Sequence, residues 1–190
     1  TYAVILEDII RPTIHQLALI GAPYTGLLYA GVMVTDTGPK ALEFNCRFGD
    51  PETQAVLPAL GPGLTAHLAA IAEGRWRAPA TPALAVERTA VTTVLAAPGY
   101  PEQPETGAAI ELPDLAGADV LVFHAGTVRD ASGTLRTAGG RVLAVTGLAR
   151  DVAAAAGVSR ATCERIRFAG KTWRRDISAR ELRRERAGVA

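Results

Sequence analysis

The stretch EFNCRFGDPE runs from Glu43 to Glu52 and combines alternating polar and apolar side chains with a turn and two further carboxylates. Side chains of a β-strand point alternately to its two faces, so a strand over residues 42–48 would project Glu43, Asn45 and Arg47 together. The phenylalanines and the cysteine between them would share the opposite face, which can be buried. A half-exposed strand with a solvated face is equally ordinary, so alternation alone leaves the role of the polar face open.

The polar face has the chemistry of a ligand site. Glu43 and Asn45 offer a carboxylate and an amide oxygen two residues apart, which are hard oxygen ligands of the type that Mg²⁺ prefers. Arg47 adds a planar donor fork suited to phosphate or carboxylate groups. These side chains predict a metal and phosphate ledge as the alternative to a solvated strand.

The residues after this strand have both a capping and a binding interpretation. Asp50 precedes Pro51, a pattern typical of an N-cap followed by proline in the first helical turn, and it predicts a helix from about residue 51. Glu52 is also favourably placed near a helix N-terminus. Capping and ligand contact both stay open for these two carboxylates.

Periodicity and turn residues predict the elements around this stretch. Apolar residues at helical spacing up to Leu19, followed by Gly21, predict a helix that stops at the glycine. Strand-forming residues over 25–35 and again in ALEFNCRF, with the turn TDTGPK between them, predict an antiparallel hairpin. A further helix is predicted over LTAHLAAIAEG, residues 64–74.

A proline-rich segment, RWRAPATPALAVE, separates two parts of the chain and predicts a linker within residues 77–87. Beyond it, RTAVTTVLAA, ADVLVFHAGTV and RVLAVTGLA are β-rich runs, and DVAAAAGVSRATCERIRF is typical of a helix. We therefore predict an α+β protein with domains at 1–80 and 81–190.

Composition excludes several classes of protein. The formal net charge is +1, so the chain as a whole is not a basic nucleic-acid binder, although nine Lys or Arg against four Asp or Glu lie between Glu164 and Arg186. That end lacks interleaved aromatic residues beyond Trp173 and is typical of a solvated helix.

Two cysteines without CxxC spacing predict free thiols in the cytoplasm. No apolar run approaches the roughly 18 residues of a membrane span.

The wider pattern resembles a known family. EFNCRFGDPETQ, preceded by YTGLLYAGVMV, is similar to the corresponding segment of the phosphoribosylamine–glycine ligases, which are ATP-grasp enzymes. AAPGYPE, FHAGT, TAGGRVLAVTG and RRDI continue the resemblance in the family's order. It implies the distal part of an ATP-grasp domain, with antiparallel strands and helices, followed by a small mixed α/β C-terminal domain.

The resemblance also implies roles for the polar residues of the opening stretch. Glu43 and Asn45 would coordinate Mg²⁺ or Mn²⁺ that bridges the phosphates of ATP. Arg47 would be a catalytic contact for phosphate or an acyl phosphate. Asp50 and Glu52 would contact the amine or glycine, with capping as the rival interpretation.

Two residues of the second half are further candidates for substrate binding. His124 follows an apolar strand, so it is either a structural histidine or part of a substrate lining. Arg141 follows Gly139 and Gly140, a turn that can approach a ligand closely while the arginine supplies a donor fork; an ordinary hairpin turn fits as well. By the resemblance, its ligand would be the phosphate of phosphoribosylamine.

One further motif is rejected as a nucleotide site. The run AGKT, residues 169–172, lacks the first glycine that a phosphate-binding loop needs, because Arg165 occupies that position. Lys171 in this run and Lys40 are the two lysines of the chain. Neither lies in a nucleotide-gripping pattern.

The resemblance implies an enzyme that joins glycine to 5-phosphoribosylamine through glycyl phosphate, with ATP consumed, in purine biosynthesis. The groups that grip the nucleotide would lie in an N-terminal part upstream of Thr1, so we expect the 190-residue chain to be inactive by itself. Two alternatives stay open: a non-catalytic structural or interaction module, and another ATP-grasp carboxylate–amine ligase.

Overall fold

The computed structural model describes residues 1–77, 84–116 and 119–188. The chain divides into two compact units, Thr1–Asp50 with Pro62–Leu84, and Pro51–Gly61 with Ala85–Ala190. The domain boundary predicted between residues 80 and 81 falls outside the described residues and stays a prediction.

The first unit opens with a helical segment made of α1 (Tyr2–Ile5), a π-helical turn (Leu6–Ile10) and α2 (Arg11–Leu19). It ends at Gly21, as predicted. The N–H of Gly21 donates to the carbonyl of Ala18 at 3.1 Å and the N–H of Ala22 to that of Leu17 at 2.9 Å. With Gly21 at φ +79, these bonds form the glycine-terminated motif that satisfies the last helical carbonyls.

The predicted antiparallel hairpin is confirmed as β1 (Tyr29–Thr35) and β2 (Gly38–Asn45). The second strand, however, ends at Asn45 and not at residue 48. The apolar face, which alternation allows to be buried, is exposed: Phe44 is 41% exposed and Cys46 is exposed. Among the described residues of the first unit, Gly49 alone is buried, so this hairpin has no core beneath it to cover that face.

Two helices lie on either side of a short segment, residues 60–63, that contains Pro62. Helix α3 covers Thr53–Ala59 and belongs to the second unit, and helix α4 covers Leu64–Ala72 in the first. The helix predicted over 64–74 is thereby confirmed. Within the described ranges, no helix is long and apolar enough to cross a membrane.

The second unit contains an antiparallel sheet in the order β3 (Thr89–Ala96), β7 (Arg141–Ala149) and β4 (Val120–His124). Helices α5 (Val152–Arg165) and α6 (Ala179–Arg186) follow it. The central strand β7 is buried at every residue from 142 to 148, because elements pack on both of its faces.

Helices α5 and α3 meet this sheet through hydroxyl groups. The Ser159 hydroxyl of α5 lies 2.9 Å from Thr93 Oγ1 and 2.9 Å from the Val145 carbonyl, within hydrogen-bond distance of both. The Thr146 hydroxyl donates to the Gln54 carbonyl of α3 at 2.8 Å. Because Val145 and Thr146 are consecutive on one strand, their side chains point to opposite faces, and the sheet lies between the two helices.

A small hairpin, β5 (Thr127–Arg129) with β6 (Leu135–Thr137), joins the same unit. Its turn is organised by Asp130. One carboxylate oxygen accepts the N–H groups of Ser132 at 2.9 Å and Thr134 at 3.0 Å, and the other accepts Arg136 Nε at 2.5 Å. These donors hold the pKa of Asp130 well below its ordinary value, with the Ser132 hydroxyl and Arg136 contributing most.

The lowered pKa of Asp130 predicts an acid-sensitive contribution to stability. A carboxylate with a depressed folded-state pKa stabilises fully above its unfolded pKa of about 4 and loses that effect as the pH falls through the folded value. We expect Asp130→Asn to lower the urea midpoint at pH 7, and the difference from the parent to shrink below about pH 4. Asp36→Asn, at an exposed turn position, is the control. A difference that stays constant down to pH 2 would contradict this role.

Candidate functional site

The two residues predicted to form a metal ledge lie at the end of β2. Glu43 and Asn45 lie on the same strand, and Asn45 Nδ2 donates to Glu43 Oε1 at 3.2 Å. This bond leaves the amide oxygen of Asn45 and the second carboxylate oxygen of Glu43 for a cation. The structure therefore brings the Glu43 and Asn45 side chains into contact, as the alternation of the strand indicated.

A glycine across the hairpin makes room for this carboxylate. Gly31 pairs with Glu43, and a β-bulge lies directly after it in the ladder. A Cβ built on Gly31 would stand 3.0 Å from Glu43 Cγ and 3.7 Å from its Oε1. A larger residue there would displace the carboxylate. Sequence reasoning missed Gly31, although a glycine inside a strand is a signal for a bulge or a close approach.

The structure separates Arg47 from this strand face. Because β2 ends at Asn45, Arg47 lies in a bend, and its Nη1 donates to the carbonyl of Phe48 at 2.8 Å. The prediction that it projects with Glu43 and Asn45 from one strand is therefore wrong. Its guanidinium is exposed two residues beyond the ledge.

The capping prediction for Asp50 is also wrong. Helix α3 begins at Thr53, and its N-cap is Glu52, whose side chain makes no capping bond. Proline disfavours helical conformation in the residue before it, and Asp50 to Glu52 form a turn instead. Asp50 belongs to the first unit and Glu52 to the second, and both are exposed.

His124 and Arg141 lie on neighbouring segments of the second unit. His124 ends β4, and its Nδ1 is 3.0 Å from Thr127 Oγ1. The N–H of Gly126 donates to the carbonyl of Arg141, the first residue of β7, at 2.8 Å. A Cβ on Gly126 would lie 2.7 Å from the Cα of Gly139, so only glycine allows the two loops to approach this closely.

A third loop reaches the same end of the sheet. The N–H of Ala97 donates to the carbonyl of Gly140 at 2.9 Å. The ring of Tyr100 covers Gly140, since a Cβ built there would stand 2.3 Å from Tyr100 Cδ2. The motifs AAPGYPE, FHAGT and TAGGR, far apart in sequence, thus meet in space. Tyr100 and Thr127 were not predicted, because no spacing rule connects these loops.

Lys171, in the AGKT run that was rejected as a nucleotide site, has a structural role. Its Nζ donates to the carbonyl of Cys163 at 2.5 Å and to that of Ile166. These carbonyls lie at the C-terminus of α5, where a cation is favourable. Burial lowers the pKa of Lys171, and burial raises the pKa of the Cys163 thiol to about 11. The lysine is thus bound to a helix end rather than presented to a nucleotide.

The donor set at the ledge fits a metal that is only partly held by protein. Among the described residues, no three His, Cys, Asp or Glu side chains are close enough together to bind one ion. Mg²⁺ commonly takes one or two protein oxygens and completes its shell with water and substrate phosphates. Glu43 and Asn45 meet that requirement.

Three cavities lie away from the residues that the sequence predicted as a site. A cavity of about 750 Å³ is lined by residues of the first helices. A cavity of about 440 Å³ lies between the 25–27 loop and α4, and one of about 260 Å³ is lined by residues 111–113 with Arg165 and Arg167. Their linings include none of the seven residues predicted from the sequence. The chemistry of the ledge and of the three loops, rather than any of these three cavities, identifies them as candidate sites.

Two family models match the chain on either side of the proline-rich segment. Residues 1–53 match "Phosphoribosylglycinamide synthetase, ATP-grasp (A) domain", and residues 90–180 match "Phosphoribosylglycinamide synthetase, C domain". The first match contains the ledge, and the second contains the three loops. The predicted fold class, part of an ATP-grasp domain followed by a mixed C-terminal domain, is confirmed.

Curated relatives extend this similarity over most of the chain. The phosphoribosylamine–glycine ligase of Caulobacter vibrioides is 44% identical over 177 residues, which are 93% of this chain and 41% of that protein. The ligase of Pseudomonas aeruginosa is 43% identical over 185 residues, 96% of this chain and 42% of that protein. The chain thus spans about two fifths of the length of the relatives it matches.

A solved structure agrees with these matches. The crystal structure of the phosphoribosylamine–glycine ligase from Thermotoga maritima superimposes with a TM-score of 0.78 at 36% identity, over 90% of this chain and 42% of that one. Sequence motifs, family models and three-dimensional similarity therefore agree. The chain belongs to the phosphoribosylglycinamide synthetase family, of which it carries matched parts of the ATP-grasp and C domains.

Proposed function

We propose that this chain is part of an ATP-dependent ligase that joins glycine to 5-phosphoribosylamine, with glycinamide ribonucleotide, ADP and phosphate as products. The observation that supports this most directly is the Glu43 and Asn45 oxygen pair, which lies inside the segment matched by the ATP-grasp model and opposite a glycine that leaves it room. A purely structural strand would not require that opening.

Glu43 and Asn45 would hold Mg²⁺ or Mn²⁺. Such an ion, bound between the protein and the phosphates of ATP, neutralises charge that develops during phosphoryl transfer. The contribution of the protein is to keep the two oxygen donors in place. The 3.2 Å bond between the side chains orients the amide so that its oxygen, not its nitrogen, is available to a cation.

Arg47 would orient an anion beside the ledge. In the proposed reaction, a carboxylate oxygen of glycine attacks the γ-phosphorus of ATP and ADP leaves; the amine of phosphoribosylamine then attacks the acyl carbon and phosphate leaves. Both steps place phosphate oxygens where a guanidinium can donate two hydrogen bonds. The bend at residues 46–47 leaves the Arg47 side chain exposed, which such a contact requires.

The remaining predicted residues would bind the other substrates. Asp50 and Glu52 would contact the amine or the glycine, since both are exposed carboxylates that follow the ledge along the chain. His124 and Arg141 would bind phosphoribosylamine, with its phosphate on Arg141. The loop packing around Gly126 and Gly140 supports this role, because it holds a histidine and an arginine on adjoining backbone segments.

The proposal includes a partner and a location. The chain spans about two fifths of its relatives, and the nucleotide-gripping groups would come from the remaining N-terminal part of the same enzyme. Cys46 and Cys163 are free thiols, which accords with a cytoplasmic location. We propose no nucleic-acid partner and no membrane partner.

The test compares the 190-residue chain with a protein that restores the remaining length of the relatives. We expect the longer protein to form glycinamide ribonucleotide from ATP, glycine and phosphoribosylamine only with Mg²⁺ or Mn²⁺. We expect the 190-residue chain alone to form none. Product would be measured by mass spectrometry and ADP by a coupled assay.

Other outcomes of this test have definite meanings. Turnover with bicarbonate or formate in place of glycine would assign another ATP-grasp carboxylate–amine ligase. A longer protein that binds neither an ATP analogue nor metal would assign a structural or interaction module. Either result would overturn the proposed reaction.

A further inference from the structure

Tyr100 occupies a position that the proposed substrate residues do not explain. Three loops meet at one end of the second-unit sheet: Pro98–Tyr100, His124–Thr127 and Gly139–Arg141. We name this cluster the three-loop corner. The ring of Tyr100 covers the Gly140 backbone and yet remains 44% exposed. An aromatic side chain fixed at one edge and open at the other can contact a ligand.

We propose that Tyr100 is a specificity-determining residue of the three-loop corner, where its ring packs against the sugar of a pentose 5-phosphate while Arg141 binds the phosphate. This inference rests on the proposed function and adds to it a residue and a mode of selection. The sugar contact distinguishes a phosphorylated pentose from inorganic phosphate, which Arg141 alone would not.

The backbone holds Tyr100 rigidly. Gly99 has φ +79, and a Cβ there would stand 2.1 Å from the carbonyl oxygen of Gln103. The N–H of Gln103 donates to the Gly99 carbonyl at 2.8 Å, and the N–H of Glu105 donates to the Pro98 carbonyl at 2.9 Å. A loop backbone held in this way needs little further ordering on binding, so a contact made by the Tyr100 ring contributes more to affinity.

The other two loops supply groups for the phosphate. Arg141 begins β7 directly after the glycine turn, and a guanidinium is suited to two phosphate oxygens. The bond of His124 Nδ1 to Thr127 Oγ1, 3.0 Å, fixes the imidazole and leaves Nε2 for another partner. This combination of groups suits a sugar phosphate. The cationic guanidinium and the imidazole can bind the phosphate end, and the amphipathic ring of Tyr100 can pack against the sugar end.

Binding can be measured on the 190-residue chain by NMR titration with D-ribose 5-phosphate and, separately, with inorganic phosphate. We expect ribose 5-phosphate to shift the amide signals of Gly126, Gly139 and Gly140 with a dissociation constant of about 1 mM. Tyr100→Ala should weaken ribose 5-phosphate binding about tenfold and inorganic phosphate binding less than twofold. Tyr100→Phe should retain most of the parent affinity, because the ring remains.

Tyr2→Ala is the matched control, since Tyr2 lies in the first unit and is 79% exposed; we expect no change in either affinity. If Tyr100→Ala proves unfolded by its spectrum, Tyr100→Leu, which keeps apolar bulk over Gly140, takes its place with the same expected selectivity. Equal weakening for both ligands would overturn the sugar contact, and so would the absence of shifts in the corner at about 10 mM ribose 5-phosphate.

The outcome separates this inference from the proposed function. If the longer protein makes glycinamide ribonucleotide while ribose 5-phosphate shifts no corner amide, the ligase assignment stands and the role of Tyr100 is wrong. If the corner selects ribose 5-phosphate through Tyr100 but the longer protein makes no product, the binding site stands and the proposed reaction is wrong.

Discussion

Glu43→Gln, made in a protein that restores the remaining length of the relatives, is expected to lower metal-dependent turnover by about 100-fold to 1,000-fold. The substitution keeps the shape of the side chain but removes the charge that holds a divalent cation. The neighbouring Asn45 amide, at 3.2 Å, is neutral and cannot replace that charge. Higher Mn²⁺ concentrations should restore part of the activity, because the loss lies in metal binding.

Turnover as a function of Mg²⁺ and Mn²⁺ concentration measures this effect. Glu73→Gln is the control: this exposed glutamate follows helix α4 in the same unit, and its replacement should leave turnover within about twofold. The midpoint of thermal unfolding should not fall for Glu43→Gln, because the Glu43 side chain is exposed. Unchanged metal-dependent turnover would remove Glu43 from the site.

Gly147→Ala has the largest expected effect on folding. A Cβ at this position on the central strand would stand 2.2 Å from the carbonyl oxygen of Ala155 and 2.6 Å from the Ser159 nitrogen. Both atoms belong to the backbone of α5, which cannot move aside as a flexible side chain would. Helix α5 would have to separate from the sheet, so we expect a loss of about 3 kcal/mol or more in the free energy of unfolding.

Urea unfolding of the 190-residue chain, followed by circular dichroism, tests this. Gly157→Ala is a matched control on the packed helix itself, because its new Cβ would meet no atom within 4 Å. Replacing a glycine inside a helix with alanine should stabilise by about 1 kcal/mol. If Gly147→Ala unfolds at the parent's urea concentration, the close packing of α5 on β7 is not as described.

The local elements could be predicted because their causes are local. Gly21 ends α2 because only glycine adopts the left-handed conformation there without strain, and the turn between two β-rich runs produces the hairpin that contains Glu43. Alternation within that strand then placed Glu43 and Asn45 on one face, where the structure has them 3.2 Å apart. These predictions needed only short-range backbone sterics and side-chain alternation.

Predictions failed where the chain leaves regular structure. Alternation predicted a strand that continues through Arg47. The last pair between β1 and β2, however, is Tyr29 with Asn45, and a strand without a pairing partner does not continue. Asp50 matched the pattern of an N-cap, yet α3 begins at Thr53. Alternation allowed the Phe44 face to be buried, but Phe44 is 41% exposed, because burial depends on what covers a face.

The sequence by itself determined the family, most of the helices and strands, and the shared face of Glu43 and Asn45, because motifs and periodicity are properties of neighbouring residues. Only the tertiary structure decided that Gly31 makes room for a carboxylate, that Lys171 caps a helix, and that Tyr100 covers Gly140. The Tyr100 contact joins two segments that are distant along the chain, and the other two depend on how the hairpin pairs and how the chain folds back after α5. Such contacts follow from how the sheet and helices pack as a whole, and no local pattern encodes them.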